Sequence, residues 1–242
     1  MKNMAQTYLL YYSLKYQGDW HKIYSAVANK EIVDYETLEN TAKTFQGKFI
    51  TILDKEYPEK LRQSFQPPFV LYYQGDISLL KNENIISVSC TRNPNRQDYY
   101  VADEVLKNDL NVTYLISSLK NDMDKHVLSL KKPTIAVLGH SLMAKQPIED
   151  YDTCDLIITE LPPNTLDYSS QTLMARTRII ASLCDKEFVI NAMLHSGTAL
   201  IVSHSLNLGK DVLVAPNIDK ETLNFALIEE GAKLCYKPQH LL

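Results

Sequence analysis

From residue 85 onward, short and almost wholly apolar runs alternate with stretches whose apolar residues recur at helical spacing, as Tyr99, Ala102 and Val105 do. Unbroken apolar runs are typical of strands buried on both faces, and helices between them indicate parallel pairing. The pattern therefore predicts an α/β fold in which helices cover both faces of a mostly parallel sheet. The predicted strands cover residues 85–88, 112–116, 134–138, 156–158, 188–190 and 212–214.

The chain before this region has a different pattern. Residues 1–46 place apolar side chains such as Leu9 and Tyr12 at helical spacing between polar ones, which predicts a small helical appendage. The division near Gly47 gives two domains, 1–46 and 47–242. Pro67 and Pro68 precede an apolar run that Gly75 closes, and this predicts an edge strand entering a turn.

The loops that follow the predicted strands carry the candidate chemistry. Ligands of open parallel sheets bind outside the carboxyl ends of the strands. Helix amino termini offer partly positive N–H groups, and arginines make bidentate contacts to phosphate. We therefore expect a phosphate-binding pocket at this edge of the sheet. The side chains expected to converge there are Arg92, Lys125, Arg176 and Arg178, with Ser196, Gly197 and Thr198 opening a helix beside them.

The charge balance limits how a polyanion can be bound. With 25 basic and 29 acidic residues among 242, the formal net charge is −4. A chain that is basic throughout is thereby excluded, so a nucleic acid has to be met by a local patch.

The cysteines and the hydropathy bear on location. Cys90, Cys154, Cys184 and Cys235 are scattered and form no Cys-x-x-Cys pair, so neither a zinc ribbon nor a thioredoxin-like site is indicated, and we expect no metal. No secretory signal and no apolar run of about 18 to 20 residues is found. We expect a cytoplasmic protein that does not enter a membrane.

Three segments carry a resemblance to a known family. They are 53–61 (LDKEYPEKL), 67–76 (PPFVLYYQGD) and 227–232 (LIEEGA). The chain is similar over residues 52–232 to the DprA/Smf family of DNA-processing proteins. The resemblance implies a Rossmann-like core and no enzymatic role or cofactor. It also implies that the protein captures incoming single-stranded DNA during natural transformation and delivers it to the RecA recombinase.

The resemblance also implies a set of DNA-binding residues. Arg92 matches the arginine of the family's Gly-Thr/Ser-Arg loop, Ser117 the serine of its Ser-Gly-Leu-Ala loop, and Asp124 the aspartate of its Gly-Ile-Asp. Glu160 and Pro162 match its Ser-Glu-x-Pro segment, which the resemblance does not assign to holding DNA. The remaining matches are Arg176 and Arg178 to Arg-Asn-Arg, and Ser196 and Gly197 to the Ser-Gly turn. With Lys125 and Thr198 from the same loops, Arg92, Ser117, Arg176, Arg178, Ser196 and Gly197 form the expected site.

Several positions depart from the family pattern. A glycine lets the backbone approach a phosphate closely, so an added side chain obstructs contact. Asp122 also brings a negative charge toward a polyanion. The departures predict a diverged member with weakened or rearranged DNA binding. They are Cys90, Ser118 and Asp122 for glycines, Thr177 for asparagine, Asn191 for glutamate and Asn217 for glycine.

Other interpretations stay open. The two arginines also fit a solvated face, and the Ser-Gly-Thr turn also fits an ordinary helix cap. Alternative functions are a diverged Rossmann-like nucleotide-binding protein, a phosphoribohydrolase-like enzyme related to the LOG family, although its Pro-Gly-Gly-x-Gly-Thr loop is missing, or a relic that keeps the RecA contact without a DNA site. We expect a homodimer, and Leu223, Leu227 and Ile228 offer an apolar surface for it.

Overall fold

The computed structural model describes residues 3–107, 110–142, 153–163, 165 and 169–242. Within these ranges a nine-stranded sheet forms the centre of the molecule. The strands are β1 (Phe49–Thr51), β2 (Val70–Gly75), β3 (Ile85–Cys90), β4 (Thr113–Ile116), β5 (Thr134–Val137), β6 (Leu156–Thr159), β7 (Lys186–Asn191), β8 (Asp211–Val214) and β9 (Lys233–Leu234).

The helices lie before and between these strands. They are α1 (Met4–Lys15), α2 (Trp20–Ala28), α3 (Tyr35–Thr44), α4 (Glu59–Arg62), α5 (Arg96–Leu106), α6 (Asp122–Ser129), α7 (Ser170–Leu183), α8 (Gly197–Asn207) and α9 (Leu223–Glu229), with 3-10 helices at Ile77–Lys81 and Pro238–Leu241. None of the helices in the described ranges combines the length and apolar composition that a membrane crossing requires.

The strand order is β1-β2-β6-β5-β4-β3-β7-β8-β9. All pairs from β6 to β9 are parallel, whereas β2 runs antiparallel to both β1 and β6. The chain moves outward from β3 through β4 to β6, and then returns to β7 on the other side of β3. This reversal next to β3 is a topological switch point, where sheets of this kind bind their ligands.

Both faces of the sheet are covered, as the sequence pattern predicted. Phe188 of β7 packs with Ala102 of α5 and Met123 of α6 on one face. On the other face Ile135 of β5 packs with Ile179 of α7 and with α4 and α8. The α/β fold with a mostly parallel sheet is confirmed, and all six predicted strands are present.

The prediction of an edge strand after Pro68 was wrong. β2 has β1 on its outer side and β6 on its inner side, so it lies one strand in from the edge. The prolines are tolerated because β2 begins after them, at Val70. β1 has only three residues, too few for a recognisable apolar pattern.

Helices α1 to α3 lie within residues 4–44 and pack on this end of the sheet. Leu9 and Leu10 of α1 share a core with Val70 and Tyr72 of β2. The Tyr72 hydroxyl donates to Ser13 Oγ at 2.9 Å.

The apolar segment expected to form a dimer contact lies mostly inside the protein. Leu223 and Leu227 of α9 are buried against Val189, Val202 and Val214, so they contribute to the core. A dimer contact through these two side chains is therefore excluded in the folded chain.

Candidate functional site

A cleft of about 510 Å³ opens at the carboxyl ends of β3, β4 and β7, beside the switch point. We call it the arginine cleft. It is lined by Cys90, Thr91 and Arg92 after β3, Ser117 and Asn121 after β4, Leu173, Met174, Arg176 and Thr177 on α7, Ala192, Met193, His195 and Ser196 after β7, and Gly197, Thr198, Leu200 and Ile201 on α8.

The amino terminus of α8 forms one wall of the arginine cleft. Ser196 is the N-cap, and its hydroxyl accepts from Ala199 N at 3.3 Å while donating to Met193 O at 2.7 Å. The first N–H groups of a helix have no partner within it and carry partial positive charge. A Cβ on Gly197 would meet no atom within 4 Å. The backbone at Gly197 is therefore open to an approaching ligand.

Two arginines face this wall from other elements. Arg92 is exposed on the loop after β3. Arg176 reaches from α7 and donates through Nη1 to the carbonyl oxygen of Ser117. That bond fixes the guanidinium at the edge of the cleft, next to the loop after β4. Two cations and a helix amino terminus around one cavity form an arrangement suited to phosphate.

Arg178 lies outside this arrangement. It is two residues after Arg176 on the same helix, and two helical residues differ by about 200° in direction. Its guanidinium makes an ion pair with Glu160, at 2.6 Å from Nη2 to Oε2, in which the two side chains are only 10% and 12% exposed. It also donates to Gln66 O and Ala175 O. Arg178 thus links α7 to the loop after β6, through Glu160, and to the segment before β2, through Gln66.

Lys125 is also placed elsewhere. It lies on α6 beside a second cleft at the amino ends of β5 and β6. The arginine cleft therefore brings together six of the eight expected residues and leaves out Arg178 and Lys125. The six are Arg92, Ser117, Arg176, Ser196, Gly197 and Thr198.

Sequence reasoning missed several residues of the arginine cleft. Asn121 precedes α6, a position at which asparagine commonly marks a helix start, so a signal existed. His195 stands two residues before Gly197, but a single histidine carries little information. Leu173 and Ile201 form apolar parts of the lining that only the packing of α7 against α8 reveals.

Two buried groups beside the cleft have shifted pKa values. Burial raises the pKa of Asp124 to about 8, against the opposing effect of the Arg176 charge. The Asp124 carboxyl is therefore mostly neutral at pH 7 and does not cancel that charge. Burial also raises the pKa of the Cys90 thiol to about 12, so this cysteine is not a nucleophile at neutral pH.

The positions that depart from the family pattern have different surroundings. Cys90 lines the arginine cleft, whereas Ser118 and Asp122 do not. Asp122 is exposed at the first position of α6, where a negative charge complements the helix dipole. Asn191 donates through Nδ2 to the Asp98 carboxylate at 3.1 Å and so links β7 to the start of α5.

Comparisons with known proteins agree on one family. The family model of DNA recombination-mediator protein A matches residues 48–242. The DNA processing protein DprA of Streptococcus pneumoniae is 31% identical over 216 residues, covering 83% of this chain and 76% of that protein. The DprA of Bacillus subtilis is 27% identical over 206 residues, covering 79% and 69%.

Solved structures show the same fold. The crystal structure of DprA from Streptococcus pneumoniae superposes with a TM-score of 0.74 at 27% identity, covering 90% of this chain and 78% of that one. DprA from Helicobacter pylori, whose structure was described for its single-stranded DNA binding mode, has a TM-score of 0.66 at 23% identity. The superposition covers 81% of this chain and 94% of the Helicobacter pylori chain.

Proposed function

The chain belongs to the DprA/Smf family of DNA recombination-mediator proteins, and on that premise we propose that it binds single-stranded DNA in the arginine cleft. One observation carries the proposal. Arg92, Arg176 and the amino terminus of α8 come from three separate elements and meet around a single cavity at the switch point of the sheet.

The parts of the cleft suit different parts of a nucleotide. Arg92, Arg176 and the N–H groups at Gly197 supply charge-assisted hydrogen bonds to phosphate, each worth about 1.5–3 kcal/mol. Leu173 and Ile201 offer apolar surface to a base or sugar. Contacts of these kinds do not read base edges, so we expect binding that tolerates any sequence.

The proposed role is to protect incoming single strands in natural transformation and to help load RecA. It needs no catalytic group. All four cysteines are free thiols, which supports a reducing compartment such as the cytoplasm.

We also propose a homodimer, through a different surface from the one that the sequence suggested. β9 forms the outer edge of the sheet, and Leu234 on it and Tyr236 just after it are 43% and 49% exposed. An edge strand with exposed apolar side chains is suited to pairing with a second copy. Sedimentation of the chain with Leu234→Lys tests this, since a dimer at this edge becomes a monomer.

The test of DNA binding is a fluorescence anisotropy titration with a labelled oligothymidine at low salt. We expect binding that Arg92→Ala or Arg176→Ala weakens about tenfold or more, as the loss of one charged hydrogen bond predicts. Lys43→Ala, an exposed lysine on α3, is the matched control for the loss of one positive charge.

Three results would contradict the proposal. Absence of binding at low salt would favour a relic without a DNA site. Binding that neither arginine variant changes would place the strand elsewhere on the protein. Affinity that does not fall with rising salt would also argue against phosphate contacts.

A further inference from the structure

A second cleft, of about 650 Å³, lies at the amino ends of β5 and β6. Three lysines, Lys125, Lys131 and Lys132, contribute to its lining, and Ser129 and Thr153 add hydroxyl groups. We call it the lysine cleft. In a chain whose net charge is −4, three lysines around one cleft form a local cationic site.

The charge of the lysine cleft is not neutralised within the described part of the chain. No acidic side chain there makes an ion pair with Lys125, Lys131 or Lys132. Asp155 is the one carboxylate in the lining. It accepts a hydrogen bond from Thr134 N at 2.9 Å and so satisfies the first backbone N–H group of β5. Lysines past the end of a helix also complement its dipole, but that role does not account for Lys125, which lies within α6.

Helix α6 connects the two clefts. Asn121, the residue before α6, lines the arginine cleft, and Ser129, its last residue, lines the lysine cleft. Eight helical residues span about 12 Å. Lys125 lies at the middle of that distance.

A further cation, Lys120, lies at the arginine end of this path. Lys120 directly precedes Asn121, which lines the arginine cleft. The exposed residues of α6 are Asp122, Lys125 and Ser129, so the path has mixed charge at its start and is cationic from Lys125 to the lysine cleft.

We propose that a single strand bound in the arginine cleft continues along α6 and places further phosphates against Lys125, Lys131 and Lys132. This inference rests on the proposed function, because it extends the path of the same strand. It also assigns a role to Lys125 that differs from a place in the arginine cleft.

The test compares two lengths of oligothymidine, one of about 5 and one of about 20 nucleotides, chosen around the usual site sizes of single-strand-binding folds. The variant carries Lys125→Gln, Lys131→Gln and Lys132→Gln. We expect it to bind the short oligonucleotide as the unaltered chain does and the long one more weakly. Its plot of log affinity against log salt with the long oligonucleotide should be less steep by about 2, since each phosphate contact contributes about 0.7.

The control variant carries Lys30→Gln, Lys43→Gln and Lys55→Gln, three exposed lysines that line neither cleft. It should keep the affinity and the salt dependence for both oligonucleotides. Unchanged binding of the long oligonucleotide by the Lys125, Lys131 and Lys132 variant would overturn the path along α6 and leave the proposed function intact. Failure of the unaltered chain to bind either oligonucleotide would overturn both.

Discussion

The Arg178 guanidinium donates two parallel hydrogen bonds to the Glu160 carboxylate, 2.8 Å from Nη1 to Oε1 and 2.6 Å from Nη2 to Oε2. Arg178 also donates through Nε to the carbonyl oxygen of Gln66, 112 residues away in the chain. The pair joins α7 to the loop after β6 and to the segment before β2. Its burial gives Arg178 a structural role, whereas Arg176, two residues earlier on α7, lines the arginine cleft.

Arg178→Ala should destabilise the fold by about 3–5 kcal/mol, because it leaves the Glu160 charge buried without its partner. Urea unfolding measures the loss. Arg178→Ala combined with Glu160→Ala should cost less than the sum of the single changes, since neither charge is then left alone. A loss within about 0.5 kcal/mol, as for an ordinary surface substitution, would refute the structural role.

Gly197→Ala should separate binding from stability. The added Cβ meets nothing in the protein, so the unfolding free energy should stay within about 0.5 kcal/mol. The methyl group would occupy the space of an approaching phosphate, and the affinity for oligothymidine should fall about tenfold, as for one lost hydrogen bond.

Gly209→Ala is the matched control for that experiment. Gly209 has a φ of +69°, a conformation that costs other residues about 1–2 kcal/mol, and it lies after α8, away from the arginine cleft. This variant should therefore lose stability and keep its affinity. If both glycine variants changed stability and affinity in the same way, the conclusion that the backbone at Gly197 is open to a ligand would be wrong.

Glu187→Gln should change how stability depends on pH. Glu187 is fully buried on β7, and burial raises its pKa to about 7, against the opposing effects of Ser87 and Ser89. The folded chain thus holds this proton more tightly than the unfolded chain, whose glutamates titrate near 4.5. The contribution of the neutral carboxyl is complete below pH 4.5 and is lost as the pH rises through 7.

The variant and the original chain should therefore unfold alike near pH 4. Above pH 7 the glutamine variant should be more stable by about 3 kcal/mol, the equivalent of the pKa difference. Glu230→Gln, at an exposed position after α9, is the control for the substitution itself. A stability difference that does not grow between pH 4.5 and pH 7 would show that burial does not raise the pKa of Glu187.

Asn224→Ala should be strongly destabilising. Its buried side chain accepts from Ala192 N and donates to the carbonyl oxygens of Val189, Ile190 and Ala215. Its loss leaves several buried backbone groups unsatisfied, at about 1–3 kcal/mol each. Denaturant unfolding measures the loss of stability. The amide hydrogen of Ala192, which loses its acceptor, should exchange faster. Asn207→Ala, at the exposed end of α8, is the control that should change little.

The sheet was predictable because its strands are buried on both faces and therefore appear as unbroken apolar runs. The position of the cleft followed from the same pattern, since the carboxyl ends of parallel strands meet at one edge. β1 was missed because three residues are too few to show an alternating or continuous apolar pattern. Its pairing with β2 is a tertiary contact that the local sequence does not reveal.

Arg176 and Arg178 point to different surroundings, and the sequence indicates this only if residues 170–183 are first predicted to be a helix. In an extended segment, side chains two residues apart point to the same side, whereas in a helix they point to nearly opposite sides. The partners of Arg178 lie at Glu160 and Gln66, and no local pattern predicts contacts over such distances. Lys125 was expected in a loop, whereas it lies on α6, one helical turn or about 6 Å beyond Asn121.

The shared core between α1 and β2 affects how the protein can be divided. Leu9 and Leu10 cover Val70 and Tyr72, and Gln6 Nε2 donates to Asp54 Oδ1 at 2.9 Å across the same junction. Cutting the chain near Gly47 would uncover an apolar sheet face and break these polar contacts. We therefore expect the helices that look from the sequence like a detachable appendage to unfold together with the sheet, and we expect a chain truncated near Gly47 to aggregate through the apolar surface it exposes.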